Sequence, residues 1–195
     1  MIDLCRERAE SDGLSPRLYV QAIHELDLTR KYRTVYACGS FGIGGDGWQD
    51  REALERFYQA LEPGGALLLD LHLPYKNARN WGYCAADKRH ELPEEWPASG
   101  DRRRASDGSE LELRVRVVGV DPLEQVITFQ IREEMWRDGV RTAEEEYTLK
   151  DRVYLRNKML LMLERAGFSR VDVRAGYTDA EPTAEDGVLV FIATK

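Results

Sequence analysis

The sequence predicts an α/β protein, and two patterns lead to this prediction. Residues 34–38 and 66–71 are short continuous apolar runs, and the segment between them has helical periodicity. A strand, a helix and a strand with short links form a parallel crossover unit. Beyond residue 110 apolar and polar residues alternate, which is typical of antiparallel strands with one exposed face. We therefore expect a parallel α/β sheet followed by an antiparallel insertion.

The first third of the chain supplies a helix and two strands. Ile2, Cys5 and Ala9 have the spacing of an amphipathic helix, which Gly13 ends. Residues 18–20 form a short predicted strand. Residues 34–38 form a second one, and their continuous apolar character predicts burial on both faces.

A second helix follows the glycine cluster. Its N-cap is predicted at Asp50 and its end at residues 62–65, where Pro and Gly occur. Its apolar face consists of Leu54, Phe57, Tyr58 and Leu61. Residues 66–71 then form a buried strand.

The antiparallel part is predicted as a meander of about three strands. Its turns fall at Asp121-Pro122 and Asp138-Gly139, and the second of these is a strong hairpin signal. The basic run at residues 102–104 is interpreted as a solvated polar loop, and the acidic run at 144–146 as a solvated strand edge. A third helix ends at Gly167, and residues 171–173 and 188–193 supply closing strands.

Composition excludes several classes of function. The 195 residues carry 28 Lys and Arg against 35 Asp and Glu, a net charge of −7, which argues against binding to nucleic acid or an anionic membrane. No apolar run is long enough to span a bilayer, and no signal peptide is recognisable. The cysteines, Cys5, Cys38 and Cys84, are an odd number and do not form a disulfide framework. We expect reduced thiols in a cytoplasmic protein.

The segment Gly42–Gly47 matches the dinucleotide-binding pattern G-x-G-x-x-G, and Asp70 ends the next strand. This combination would suit a nicotinamide cofactor. The alternative is a flexible loop at the carboxyl end of a strand, because three residues still separate Gly47 from the predicted helix start. No metal site is predicted, since the gaps between His72, Cys84 and His90 fit no familiar ligand spacing.

The order of these segments resembles a known family. Residues 35–41, the following helix and the L-x-P-G-G-x-L-L-L-D stretch at 61–70 resemble the fourth strand, fourth helix and fifth strand of class I S-adenosylmethionine-dependent methyltransferases. Residues 164–168 are similar to the entry into that family's final hairpin, and residues 6–21 to its second helix and third strand. The resemblance implies a Rossmann-like sheet, with residues 1–75 and 155–195 as the core and 76–154 as an antiparallel lid.

The sequence departs from the family in one large respect. The family's first strand, its glycine-rich cofactor loop, first helix and second strand have no counterpart, so the resemblance implies an N-terminally truncated sheet. Residues 34–38 would then form an unpaired apolar edge. We expect a homodimer or an intertwined oligomer, or else repair of the gap by residues 18–20.

The resemblance also implies a site for S-adenosylmethionine and a small-molecule substrate. Gln21, Ala22 and Ile23 would border the adenine, although Ala22 stands where the family often has Asp. The methionine and methyl group would face Cys38, Gly39, Ser40 and Phe41. The acceptor would contact His72, Tyr75, Trp81 and Tyr147. His72 is the candidate catalytic base, the alternative being a merely hydrogen-bonded histidine.

Three functions follow as hypotheses. The first is methyl transfer to N or O of a small molecule, impaired here because the cofactor loop has no counterpart. The second is a non-catalytic dimeric or binding remnant of the same fold. The third is an NAD(P)-dependent oxidoreductase using residues 42–47. Tyr147 and Tyr154 are each interpreted either as core packing or as pocket lining, and nothing identifies the acceptor.

Overall fold

The computed structural model describes residues 2–73, 80, 82–105 and 107–195. Its α-helices are α1 (Ile2–Ser11), α2 (Gly47–Ala60) and α3 (Arg156–Arg165), with short 3-10 turns at Ile23–Glu25 and Arg89–Glu91. Its strands are β1 (Tyr32–Ala37), β2 (Leu61–His72), β3 (Asp101–Arg104), β4 (Glu110–Asp121), β5 (Val126–Arg137), β6 (Val140–Arg152), β7 (Arg170–Ala175) and β8 (Val188–Thr194).

The strands form two four-stranded sheets. Sheet A has the order β1-β2-β8-β7, with β1 and β2 parallel and the other neighbours antiparallel. The core packs α2 and α3 against this sheet, and its fully buried side chains include Leu54, Leu67, Leu69, Met159, Leu163 and Phe191. Each such side chain contributes about 1.5–3 kcal/mol of hydrophobic stabilisation, so this cluster holds the parallel unit together.

Sheet B has the order β3-β4-β5-β6 and is antiparallel throughout. One of its faces carries an ionic layer in which Glu112 and Glu134 are almost fully buried. Arg102 hydrogen-bonds Glu112, and this bond is the main reason that the pKa of Glu112 falls to about 2. Arg114 lies 3.0 Å from Glu112 and 3.3 Å from Glu134. The buried carboxylates are therefore paired, as charges in a protein interior must be.

Most of the predicted elements are confirmed, but sheet B contains one more strand than expected. Residues 102–104 lie in β3 rather than in a polar loop, because the Arg102 guanidinium finds carboxylate partners on β4. The predicted hairpin turn is confirmed, since Asp138 and Gly139 both have positive φ, at 50° and 76°. Gly167, with φ of 104°, ends α3 as expected.

The predicted boundaries of α2 were wrong at both ends. Its N-cap is Asp46, whose side chain accepts hydrogen bonds from the backbone N–H groups of Trp48 and Gln49. The Gln49 side chain in turn accepts from the backbone N–H of Asp46, which completes a capping box. Asp50 lies buried inside the helix. At the other end, residues 62–65 belong to β2, because the helix already ends at Ala60.

Two predictions about strands were also wrong. Residues 18–20 form no strand, and Val20 is 86% exposed, so they do not repair the edge of sheet A. Strand β1 is not buried on both faces, because only Ala37 is buried and Tyr36 is 74% exposed. Its outer edge is free as well, because among the described residues no strand pairs with that side of β1. No described helix is long and apolar enough to cross a membrane.

The free edge of β1 leads to a prediction about self-association. Unpaired N–H and C=O groups beside apolar side chains favour pairing with another strand. We expect light scattering at micromolar concentration to give about twice the 22.4 kDa chain mass. The substitution Tyr36→Lys should shift the protein towards monomer, whereas Val140→Lys, at an exposed position on β6, should not. A monomeric wild-type chain would contradict the predicted homodimer.

Candidate functional site

A cleft of about 530 Å³ opens at the carboxyl ends of the parallel strands β1 and β2. Ligands of open α/β sheets bind at this edge, because the loops that follow the strands diverge there. The cleft is lined by Gly39, Ser40, Phe41, Ile43, Asp70, Leu71, His72, Leu73, Asn80, Ile127, Asp151, Arg152, Val153, Tyr154, Gly187 and Val188. Both sheets and the loop before β8 thus contribute to one cleft.

Asp70 holds the loop that follows β1 in place. Its Oδ1 accepts a hydrogen bond of 2.6 Å from the backbone N–H of Gly39, and its Oδ2 accepts one of 2.7 Å from the Tyr177 hydroxyl. Hydrogen bonds to the Cys38 side chain and to Asp70 raise the pKa of Tyr177. Gly39 takes φ of 59°, a conformation that glycine adopts readily. The turn out of β1 is therefore fixed by a carboxylate of the neighbouring strand.

The glycine-rich segment after β1 joins the two sheets. The backbone N–H of Gly44 donates to the carbonyl of Lys150 at 2.8 Å, and the N–H of Arg152 donates to the carbonyl of Gly42 at 2.8 Å. A Cβ on Gly42 would lie 2.8 Å from the Arg152 carbonyl oxygen, so only glycine permits this approach. The segment is thus a hydrogen-bonded bridge rather than the flexible loop of the sequence interpretation.

A buried polar group lies beneath this bridge. The Tyr154 hydroxyl donates a 2.6 Å hydrogen bond to Oδ2 of Asp50, and both side chains are almost fully buried. The Nε of Arg152 lies 3.7 Å from the same oxygen. Burial raises the pKa of Asp50, against the opposing effects of Tyr154 and Arg152. Tyr154 therefore combines both alternatives, since it packs in the core and also lines the cleft.

Two titratable side chains face the cleft from opposite sheets. His72 ends β2 and is exposed, whereas Asp151 lies on β6 and is partly buried. Burial raises the pKa of Asp151 to about 6, and a protonated His72 acts in the opposite direction. A carboxyl group with this pKa is mostly ionised at pH 7 and can accept a proton.

The structure brings together some of the predicted site residues and separates others. Gly39, Ser40, Phe41 and His72 line the cleft, and Cys38 is exposed directly beside it. Ala22 and Ile23 line a separate space of about 220 Å³ on the other side of Ile43. The amide of Gln21 instead hydrogen-bonds the backbone of Asp27, and Gln21 lines neither space.

Of the predicted acceptor-binding residues, His72 is the one that lines the cleft in the described part of the chain. Tyr147 does not line the cleft, and its hydroxyl donates to Glu133 at 2.9 Å. Tyr147 lies on the same face of β6 as Asp151, but it pairs with Ile131, four residues or about 13 Å further along the strand. Tyr75 and Trp81 lie outside the described residues.

Sequence reasoning missed Asp151, Tyr177 and the role of Arg152. Their only local signal is the end of a predicted strand or a turn, which many surface residues share. Tyr177 meets Asp70 across 107 residues, and Asp50 meets Tyr154 across 104. Contacts of this kind carry no short-range pattern.

The bridge between the sheets can be tested at two glycines. Gly42→Ala should lower the free energy of unfolding by more than 2 kcal/mol, because its Cβ would clash with the Arg152 carbonyl and its φ is 85°. Gly44→Ala is the matched control: its φ is 77°, but no atom lies within 4 Å of its Cβ. Denaturant unfolding measures both, and equal losses would contradict a close contact at Gly42.

The raised pKa of Asp151 predicts a pH-dependent stability. The folded state holds this proton more tightly than the unfolded chain, so the contribution of Asp151 to the free energy of unfolding falls as pH rises from about 4 to about 6. Asp151→Asn should therefore be more stable than wild type at pH 7 by about 1–2 kcal/mol, after allowance for partial exposure. The difference should vanish near pH 4. Asp179→Asn, at an exposed turn, should show no such pH dependence.

No protein-family model and no curated protein matches this sequence. Solved structures do match. An S-adenosylmethionine-dependent methyltransferase from Clostridium acetobutylicum ATCC 824 aligns with a TM-score of 0.74 at 14% identity, covering 99% of this chain and 70% of that one. The methyltransferase CcbJ from Streptomyces caelestis aligns with a TM-score of 0.67 at 19% identity, covering 99% of this chain and 74% of that one.

A third structure is that of CalS10 with S-adenosylmethionine bound, an amino pentose methyltransferase from Micromonospora echinaspora. Its TM-score is 0.63 at 18% identity, and the alignment covers 99% of this chain and 69% of that one. These matches extend over both sheets described above. The chain has the fold of the class I S-adenosylmethionine-dependent methyltransferases, as its sequence motifs predicted.

Proposed function

We propose that this chain carries the catalytic side of an S-adenosylmethionine-dependent methyltransferase that acts on N or O of a small molecule. The observation that supports this most directly is the cleft at the carboxyl ends of β1 and β2. In a chain with the methyltransferase fold, this cleft is lined by two titratable side chains, His72 and Asp151. CalS10 acts on an amino pentose, which agrees with a small-molecule acceptor.

The described residues can accommodate an elongated methyl donor. The cleft beside Gly39–Phe41 and the smaller space beside Ala22 and Ile23 share one lining residue, Ile43. A donor that crosses Ile43 would place its methionine end near Ser40 and its adenine near Ala22. Among the described residues no atom lies within 4 Å of a Cβ built on Gly39, so they leave the backbone there open to a ligand.

The chain's own residues would align the reactants and remove a proton. When bound, S-adenosylmethionine supplies an electrophilic methyl group on a sulfonium sulfur. Residues 39–41 would position the methyl-donating sulfonium group in line with the acceptor atom, because Asp70 fixes the turn that these residues form. Asp151 or His72 would take the proton that the acceptor N or O loses. The pKa of Asp151, at about 6, suits a base at neutral pH.

We also propose that donor affinity is weak in this chain and that the chain is dimeric. The glycine-rich segment that the structure describes after β1 already uses the N–H of Gly44 and the C=O of Gly42 in its bonds to β6. That segment therefore does not offer the free cradle of amides that a nucleotide cofactor needs. The dimer would pair the free edge of β1.

The same hydrogen bonds argue against the nicotinamide alternative. Asp70, which would have to bind a ribose, already accepts from Gly39 and Tyr177. Asp70 as a residue is 6% exposed. The second candidate is therefore a non-catalytic binding module with the methyltransferase fold, rather than an oxidoreductase.

Calorimetric titration separates these candidates. S-adenosylmethionine and its demethylated product should bind wild type with a Kd of micromolar or weaker, and NAD should give no heat. The substitution Ser40→Trp should abolish binding by filling the donor end of the cleft, whereas Ser15→Trp, at an exposed position outside this cleft, is the control. If neither S-adenosylmethionine nor its demethylated product binds, the methyltransferase proposal is contradicted and the binding-module hypothesis remains.

A further inference from the structure

We propose that a second pocket, beside the cleft, binds an apolar group of the acceptor. It has a volume of about 200 Å³ and is lined by Asn80, Cys84, Val120, Asp121, Pro122, Gln125, Val126, Ile127, Val153 and Leu155. We refer to it as the side pocket. That its ligand is the acceptor rests on the proposed function, whereas the apolar character of the ligand rests on the pocket alone.

The side pocket adjoins the cleft. Asn80, Ile127 and Val153 line both spaces, so their walls are shared. Asp151 lies two residues from Val153 on the cleft side. A molecule that presents an N or O atom to Asp151 can therefore extend a substituent past Val153 into the side pocket.

The chemistry of the walls favours an apolar occupant. Most lining side chains are hydrocarbon, and Cys84 adds a free thiol. The polar groups at the rim are already engaged within the chain. The Asp121 carboxylate accepts from the backbone N–H groups of Leu123 and Glu124, and the side-chain amide oxygen of Gln125 accepts from Lys158 at 2.8 Å. A hydroxyl-rich group entering this space would lose its hydrogen bonds to water and regain few of them.

The size of the side pocket limits the occupant. An engineered apolar protein cavity of roughly 150 Å³ binds benzene, so 200 Å³ suits one aromatic ring system or a branched aliphatic group of similar size. The walls come from the β4–β5 turn and from the residues that link β6 to α3. An occupant would thus contact both parts of the molecule that the glycine bridge joins. The acceptor class is a small molecule with a nucleophilic N or O and a compact apolar substituent.

The test uses indole as an apolar probe and needs no methyl donor. We expect a Kd on the order of 1 mM for a fragment of this size. Alkylation of the wild-type chain by iodoacetamide, followed by peptide mapping, reports on each cysteine separately. At 10 mM indole the alkylation rate of Cys84 should fall about tenfold, while that of the exposed Cys5 on α1 stays unchanged.

Substitutions that fill the side pocket with a larger side chain provide a second test, each with a matched control. Cys84→Phe should weaken indole binding at least tenfold in ligand-observed NMR, whereas Cys5→Phe should leave it unchanged. Leu155→Trp fills the same pocket from its partly exposed rim and serves if Cys84→Phe does not fold. Equal indole binding by wild type and the filled variants would overturn the proposal, and so would equal protection of Cys84 and Cys5.

The indole experiment and the titration with the methyl donor can fail independently. If indole protects Cys84 but neither S-adenosylmethionine nor its product binds, the side pocket stands and methyl transfer fails. If the donor binds but indole does not protect Cys84, methyl transfer stands and the apolar acceptor class is overturned.

Discussion

The structure depends on the short hydrogen-bonded bridge between the glycine-rich segment and the end of β6. Two backbone bonds, from Gly44 to Lys150 and from Arg152 to Gly42, fix sheet B over the carboxyl ends of β1 and β2. Only a residue without a Cβ allows the backbone at Gly42 to approach this closely. Without the bridge, Asp151 and Val153 would belong to a separate sheet and not to the cleft. The catalytic geometry that we propose is thus a consequence of backbone contact between two sheets.

Three aspartates near this bridge have different roles, because their surroundings differ. Asp70 accepts one hydrogen bond on each carboxylate oxygen, from Gly39 and Tyr177, and it shapes a turn. Asp50 is buried with Tyr154 and Arg152, and it ties α2 to the residues after β6. Asp151 has a pKa raised by burial and faces open space in the cleft. A carboxylate whose pKa is raised by burial inside a cleft is typical of groups retained for function.

Sheet B has two faces with different physical roles. One face pairs buried carboxylates with arginines, and Trp96 lies between the guanidinium groups of Arg116 and Arg132 at 4.4 and 4.2 Å. Such a layer specifies strand register, because a slip of one residue would leave Glu112 or Glu134 buried without a partner. The other face is apolar, and near Ile127 it supplies the walls of the cleft and of the side pocket.

The sequence alone predicts the α/β class, the antiparallel insertion, the helix over α2 and the residues that follow β1 and β2. These depend on local periodicity, on Gly and Pro, and on a motif of ten residues at 61–70. It misplaced the N-cap at Asp50, because it could not show that Tyr154 buries that carboxylate. It missed Asp151, because the backbone contact of the glycine-rich segment with residues 150–152 decides which part of β6 reaches the cleft. Only the tertiary structure brings together groups separated by 100 residues or more, since such contacts leave no trace in local spacing.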